Sequence, residues 1–148
     1  MDIHAARPKW AVIYLCLALL IGGACRAGSA PTSLYSRMGG ASIVTAIVSD
    51  VIDAAASDPR LKRSFADVDL NRVKRLLVEQ ICELAGGGCR YSGDSMHDVH
   101  AGLGITQAEF YDLVQVLRDA MVRHGVALRE RNELLKILAP MKRDVVEK

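Results

Sequence analysis

Tyr91 to Thr106 reads YSGDSMHDVHAGLGIT, and the fold turns on how that stretch is understood. It holds two of the four histidines, His97 and His100. It is polar as far as Asp98, then becomes apolar and glycine-spaced through Val99-His100-Ala101-Gly102-Leu103-Gly104-Ile105. Segments with helical apolar periodicity flank it, so the stretch reads as a histidine-bearing break between helices. A histidine at the edge of such a run is a candidate ligand for a buried metal or haem. The alternative is a surface histidine, or one satisfied by hydrogen bonds in the core.

On the N-terminal side, Asp69 can cap a helix by accepting from the free N–H groups of its first turn. Leu70, Val73, Leu77, Ile81 and Leu84 then recur along one stripe until Gly86-Gly87-Gly88 stops it. On the C-terminal side, Thr106 and Glu109 have the spacing of a capping box. Phe110, Leu113, Val114, Leu117 and Met121 follow as a buried stripe, and His124-Gly125 close it. A last helix starts near Leu128 and carries Leu134, Leu135, Leu138, Met141 and Val145, with Pro140 as a kink. Upstream, Val44, Val48, Val51, Ile52 and Ala55 predict a helix over Ser42 to Ser57. Ser57-Asp58-Pro59 ends it, and a short segment with Leu61 and Phe65 follows. Ser33 to Met38 is a short helical turn broken by Gly39-Gly40. No strand pattern appears. The chain reads as all-α, with four main helices and several short ones.

The 148 residues, 51% of them hydrophobic, suffice for one domain with one core. A net charge of +2 without a basic block leaves no footprint for nucleic acid. The first residues are different. Arg7 and Lys9 precede an apolar run from Trp10 to Ile21, and Gly22-Gly23-Ala24-Cys25 follow. A positive start, a short apolar core and small residues describe a secretory signal. The run is shorter than the roughly 20 residues that span a bilayer as a helix. Residues 1–30 therefore read as a signal peptide or lipoprotein signal with a short linker. Cleavage after Ala24, Ala27 or Ala30 gives plain secretion. The lipoprotein route would lipidate Cys25 within IGGAC, although Gly22 stands where that motif prefers leucine. The protein is expected to be exported, periplasmic or lipid-anchored at the envelope, with a membrane reached only through that N-terminal lipid or anchor. Cys82 and Cys89 remain; in an oxidising compartment they can form a disulfide, and otherwise they are two free thiols.

LYSRMGG from Leu34, SDPRLKRSF from Ser57, the glycine cluster, the 91–106 stretch and LKILAPMKRDV from Leu135 occur in an order and spacing that resemble the truncated haemoglobins of group I. These are short globins folded as a two-over-two helical sandwich around haem. The resemblance covers Ser33 to Val145, and 33–148 is read as the globin domain. It implies haem b, one per chain, with His100 as the proximal ligand of the iron. It also implies that Phe65 packs on the haem and that Lys74 reaches a propionate. Tyr91 and Arg72 are further candidates for the propionates. His97 falls at no ligand position and reads as exposed.

The opposite wall departs from the family. Where many members carry a B-helix tyrosine and an E-helix glutamine, this chain has Ile52, and Val73 and Leu77 on the E-helix positions. Gln80 is the one polar side chain near them and is expected to point aside. The resemblance implies a reversible binder of O2, CO or NO, and the departure at these positions implies an apolar distal pocket without a strong donor to O2. A ligand-binding protein is favoured over an enzyme. The alternatives are an NO dioxygenase, which needs firmly held O2 and a reductase, and a haem-free helical module of the envelope.

Overall fold

The computed structural model describes residues 32–147. The signal-like segment and Cys25 lie outside the described residues. Helix α1, Leu34–Arg37, is capped by Ser33, whose hydroxyl accepts from the Ser36 N–H. Helix α2 spans Gly40–Ser57 and buries Val44, Ile47, Val48, Val51, Ile52 and Ala55 along one face. It stops at Asp58, which is extended, as a residue before proline prefers to be. A single tight turn of 3-10 type, Lys62–Phe65, leads to α3, Leu70–Leu84. Asp69 caps α3 by accepting from the N–H groups of Asn71 and Arg72.

The break predicted after α3 is not wholly irregular. It contains α4, Met96–His100, whose Ser95 side chain accepts from the Asp98 N–H. An N-cap and an acidic residue in the first turn are local signals that favour this short helix. Helix α5, Gln107–Arg123, carries the complete Thr106–Glu109 capping box. Helix α6 runs Leu128–Leu138. Pro140 does more than kink it: the chain tightens into a 3-10 turn over Ala139–Met141 before α7, Lys142–Val145. No strand occurs among the described residues.

Helices α2, α3, α5 and α6 supply the centre of the core, where Ile47, Ile81, Met121 and Leu134 are almost fully buried. Arg37 joins α1 to α6 by pairing with Glu130 at 3.2 Å and with Glu133. The Tyr35 N–H donates to the Ala85 carbonyl at 2.9 Å, so α1 also closes over the end of α3. Gly87 permits this packing. A Cβ there would lie 2.6 Å from both the Cys82 sulfur and the Tyr35 ring.

Cys82 and Cys89, the pair expected to bridge in an oxidising compartment, are joined as a disulfide with a Cα–Cα distance of 5.6 Å. Cys82 is fully buried while Cys89 is exposed. Closing a loop of this length removes roughly 2–3 kcal/mol of unfolded-state entropy in the chain-entropy model. Reduction is therefore expected to lower the melting temperature by about 10 °C for a domain of this size. Calorimetry with and without a membrane-permeant reductant checks this, with thiol counting to confirm reduction. Coincident transitions would show that the bridge adds no stability.

Candidate functional site

A cavity of about 470 Å3 opens between α2, α3, α4 and α5 and is completed by the C-terminal turns. Its volume lies in the range of small-molecule and cofactor pockets. Helix α3 and its capping residue form one wall with a single stripe: Asp69, Arg72, Val73, Leu76, Leu77 and Gln80 all line the cavity. They recur at the three- and four-residue steps that keep side chains on one helix face. Val51 and Ile52 of α2 continue this wall, and Phe65 is half-buried at its edge. Ile52, Val73 and Leu77 are all apolar, so the wall has no donor where they stand.

The facing wall carries His100. Its Nδ1 lies 2.7 Å from the backbone carbonyl of Met96, one turn earlier on α4. A carbonyl only accepts, so Nδ1 carries the proton and donates. Nε2 is left with its lone pair, the state a metal-ligating imidazole needs. The ring lines the cavity. His97 instead is exposed, with Nδ1 3.3 Å from Asp98.

The loop after His100 is gripped from two sides. The Arg63 guanidinium donates to the carbonyls of Leu103 at 2.8 Å and Gly104 at 2.9 Å. The Glu147 carboxylate accepts from the N–H groups of Gly102 and Gly104, and the Glu147 N–H donates to the Ile105 carbonyl at 2.9 Å. Arg63 also forms a two-point pair with Glu109, at 2.6 and 2.7 Å. One carboxylate thus caps α5 and anchors the clasp.

These contacts set the Glu109 charge. The Arg63 guanidinium above all, then the Thr106 N–H and hydroxyl, hold its carboxyl down from an ordinary value of 4.5 to about 2, against the upward pull of burial. The folded value is the depressed one, so the stabilisation is complete above 4.5 and is lost as pH falls toward about 2. Wild type should melt above Glu109→Gln at neutral pH, and the gap should close across that acid window. A gap independent of pH would refute the assignment.

Lys74 does not line the cavity. Its ammonium sits 2.7 and 2.8 Å from the two carboxylate oxygens of Asp53, on the other side of α3. There it borders a surface hollow with Thr45, Ser49, Arg75 and Val78. The helix period explains this placement. Lys74 is about 100° around the axis from Val73, toward α2. Arg72 is the cation of α3 that lines the cavity. Tyr91 also lines it and donates its hydroxyl to the Asp94 carbonyl at 3.0 Å. Gly93 makes room, since a Cβ there would stand 2.2 Å from the Tyr91 oxygen.

Gln80, expected to point aside, is only 8% exposed and faces the cavity, with its amide 3.3 Å from the Met96 sulfur. Its spacing of three from Leu77 and seven from Val73 was the available signal. Arg63 and Glu147 had no such signal, because their partners are some forty residues distant in sequence.

This is the helical framework of a two-over-two globin. Residues 33–147 match the family model described as bacterial-like globin. A group 1 truncated hemoglobin, GlbN, from Mycolicibacterium paratuberculosis is 32% identical over 111 residues, covering 75% of this chain and 82% of its own length. The GlbN of a Nostoc species is 27% identical over 117 residues, covering 79% of this chain and 99% of its own. Among solved structures, the Fe(III) form of the truncated hemoglobin of Tetrahymena pyriformis superposes with a TM-score of 0.75 at 23% identity, covering 79% of this chain and all of its own. The 2/2 hemoglobin of a Synechococcus species, solved in the cyanomet state with covalently attached heme, gives 0.73 at 24% identity, with the same coverage of this chain and 100% of its own. These two structures show the fold. The chain belongs to the bacterial-like globin family, and its relatives are group 1 truncated hemoglobins.

Proposed function

We propose that the cavity holds one haem b, ligated through His100 Nε2, and that the protein reversibly binds a diatomic gas on the side of Ile52, Val73 and Leu77. The observation that carries this reading is the His100 ring. It lines an apolar cavity while its other nitrogen is committed to the Met96 carbonyl. The remaining residues suit a flat, mostly apolar group with a carboxylate edge. Phe65, Leu113 and Leu117 offer apolar surface, and Arg72 offers a cation at the rim. Haem supplies the iron to which O2, CO or NO can bind. The chain orients that iron through His100, excludes water with the apolar wall, and places no strong donor from Ile52, Val73 or Leu77 beside the gas.

Absorption spectra of the purified full-length protein test the reading. A Soret band that shifts under CO is expected, with a five-coordinate or weakly water-ligated resting form. A protein purified without haem, and unable to take it up, would leave only the helical-module alternative. We further propose export, on the strength of residues 1–30. Intact mass of the mature chain would reveal cleavage, and a diacylglycerol increment on Cys25 would reveal lipidation. An uncleaved cytoplasmic product would overturn it.

A further inference from the structure

We propose that Gln80 is a positioning residue for His100, acting through Met96. The inference rests on His100 being the iron ligand. Met96 is held in two ways. Its side-chain sulfur accepts from the Gln80 amide at 3.3 Å, and its backbone carbonyl accepts from His100 Nδ1 at 2.7 Å. One residue therefore couples α3, which forms the opposite wall, to the imidazole. Helix α4 has only five residues and cannot fix its own pose. Helix α3 holds the connector leading to it at two earlier points. Cys82 is bridged to Cys89, and Glu79 accepts from the N–H and hydroxyl of Ser92 at 3.2 and 2.6 Å. Gln80 to Met96 is the third hold, and it touches the residue whose carbonyl orients the ligand.

The choice of side chain argues for a role beyond packing. Gln80 is buried on an otherwise apolar stretch of the stripe, beside Leu76, Leu77 and Ile81. A thioether is a weak acceptor, so it offsets the desolvation of an amide only in part. Leucine at the same place would fill similar space without that cost. Gln80 is thus a poor choice for stability alone. The directional contact it makes sets the position of the Met96 backbone. A firm Nδ1–H to carbonyl bond raises the basicity of Nε2 and strengthens its donation to a metal. Loosening Met96 weakens that bond and makes His100 a poorer donor.

The test uses the haem-loaded protein and the variants Gln80→Leu, Met96→Leu and the double substitution. Both leucines roughly keep volume and retain the Met96 backbone carbonyl as an acceptor, so only the side-chain contact that positions it is lost. The readouts are the iron–histidine stretching band of the ferrous form by resonance Raman and the midpoint potential. Each single variant is expected to lower the band and raise the potential. The double variant should shift neither further than the larger single effect, because all three break one contact. Thermal unfolding of the haem-free proteins should show Gln80→Leu no less stable than wild type, which a merely scaffolding amide would not allow. Unmoved bands and potentials, or additive shifts in the double variant, would overturn the proposal while leaving His100 as ligand. A wild type without haem would overturn both.

Discussion

His100→Ala is expected to abolish the haem spectrum of the protein as purified. The Soret band should fall to the level of weakly held cofactor and lose its normal shift under CO. Among the described residues that line the cavity, His100 is the one histidine, and its free nitrogen is the natural donor to an iron there. Its loss leaves thioethers, carboxylates and a phenol, none oriented as an imidazole is. The substitution should not collapse the fold. His100 is half-exposed at the last position of α4, and the buried core is built from other helices. Far-ultraviolet circular dichroism should therefore be almost unchanged. Imidazole added together with haem should enter the vacated space of the variant and restore a five-coordinate spectrum. If the variant kept the wild-type band and CO response, His100 would not be the ligand.

The second large effect is expected at Leu77. Leu77→Gln places an amide donor on the cavity stripe of α3, between Val73 and Gln80. O2 held in a globin carries partial negative charge, and a hydrogen bond to it is worth about 1.5–3 kcal/mol. O2 release should slow by roughly ten- to a hundredfold, since each 1.4 kcal/mol is a factor of ten. CO carries little charge and should change far less, so the ratio of O2 to CO affinity should rise. Ile52→Tyr is the less clean experiment. Ile52 is buried in a packed helix face, where added volume costs roughly 1–3 kcal/mol of strain. Stopped-flow O2 release and CO recombination on wild type and Leu77→Gln decide the matter. A wild type that already releases O2 slowly, with Leu77→Gln making no difference, would mean another donor is present. Gln80 would then be the first residue to substitute.

The parts of this protein that were legible in the sequence are those specified locally. Asp69, Thr106 and Glu109 stand within three residues of the groups they cap, and the structure bonds them accordingly. The apolar stripe of α2 repeats every three or four residues and is buried as that repeat requires. His100 stood out because a short motif surrounds it. What was illegible depends on partners far along the chain. The pairing of Lys74 with Asp53, on another helix, is one such contact. Arg63 looks like any surface arginine until the fold brings it to the carbonyls of Leu103 and Gly104. The role of Gln80 was half legible. Its helical phase places it on the cavity face, but nothing nearby in sequence announces the Met96 sulfur. Pro140 signals an interruption, while the resulting tight turn depends on how the last residues fold back.

The unequal exposure of the two bridged cysteine residues has a chemical consequence. An external thiolate can reach Cys89 but not Cys82. Attack at Cys89 must expel the Cys82 sulfur as an anion into an apolar interior, where it is a poor leaving group. Small thiols should therefore open the bridge slowly in the native state, and any mixed disulfide trapped on the way should be found on Cys89 alone. The bond is shielded kinetically by where its second sulfur lies.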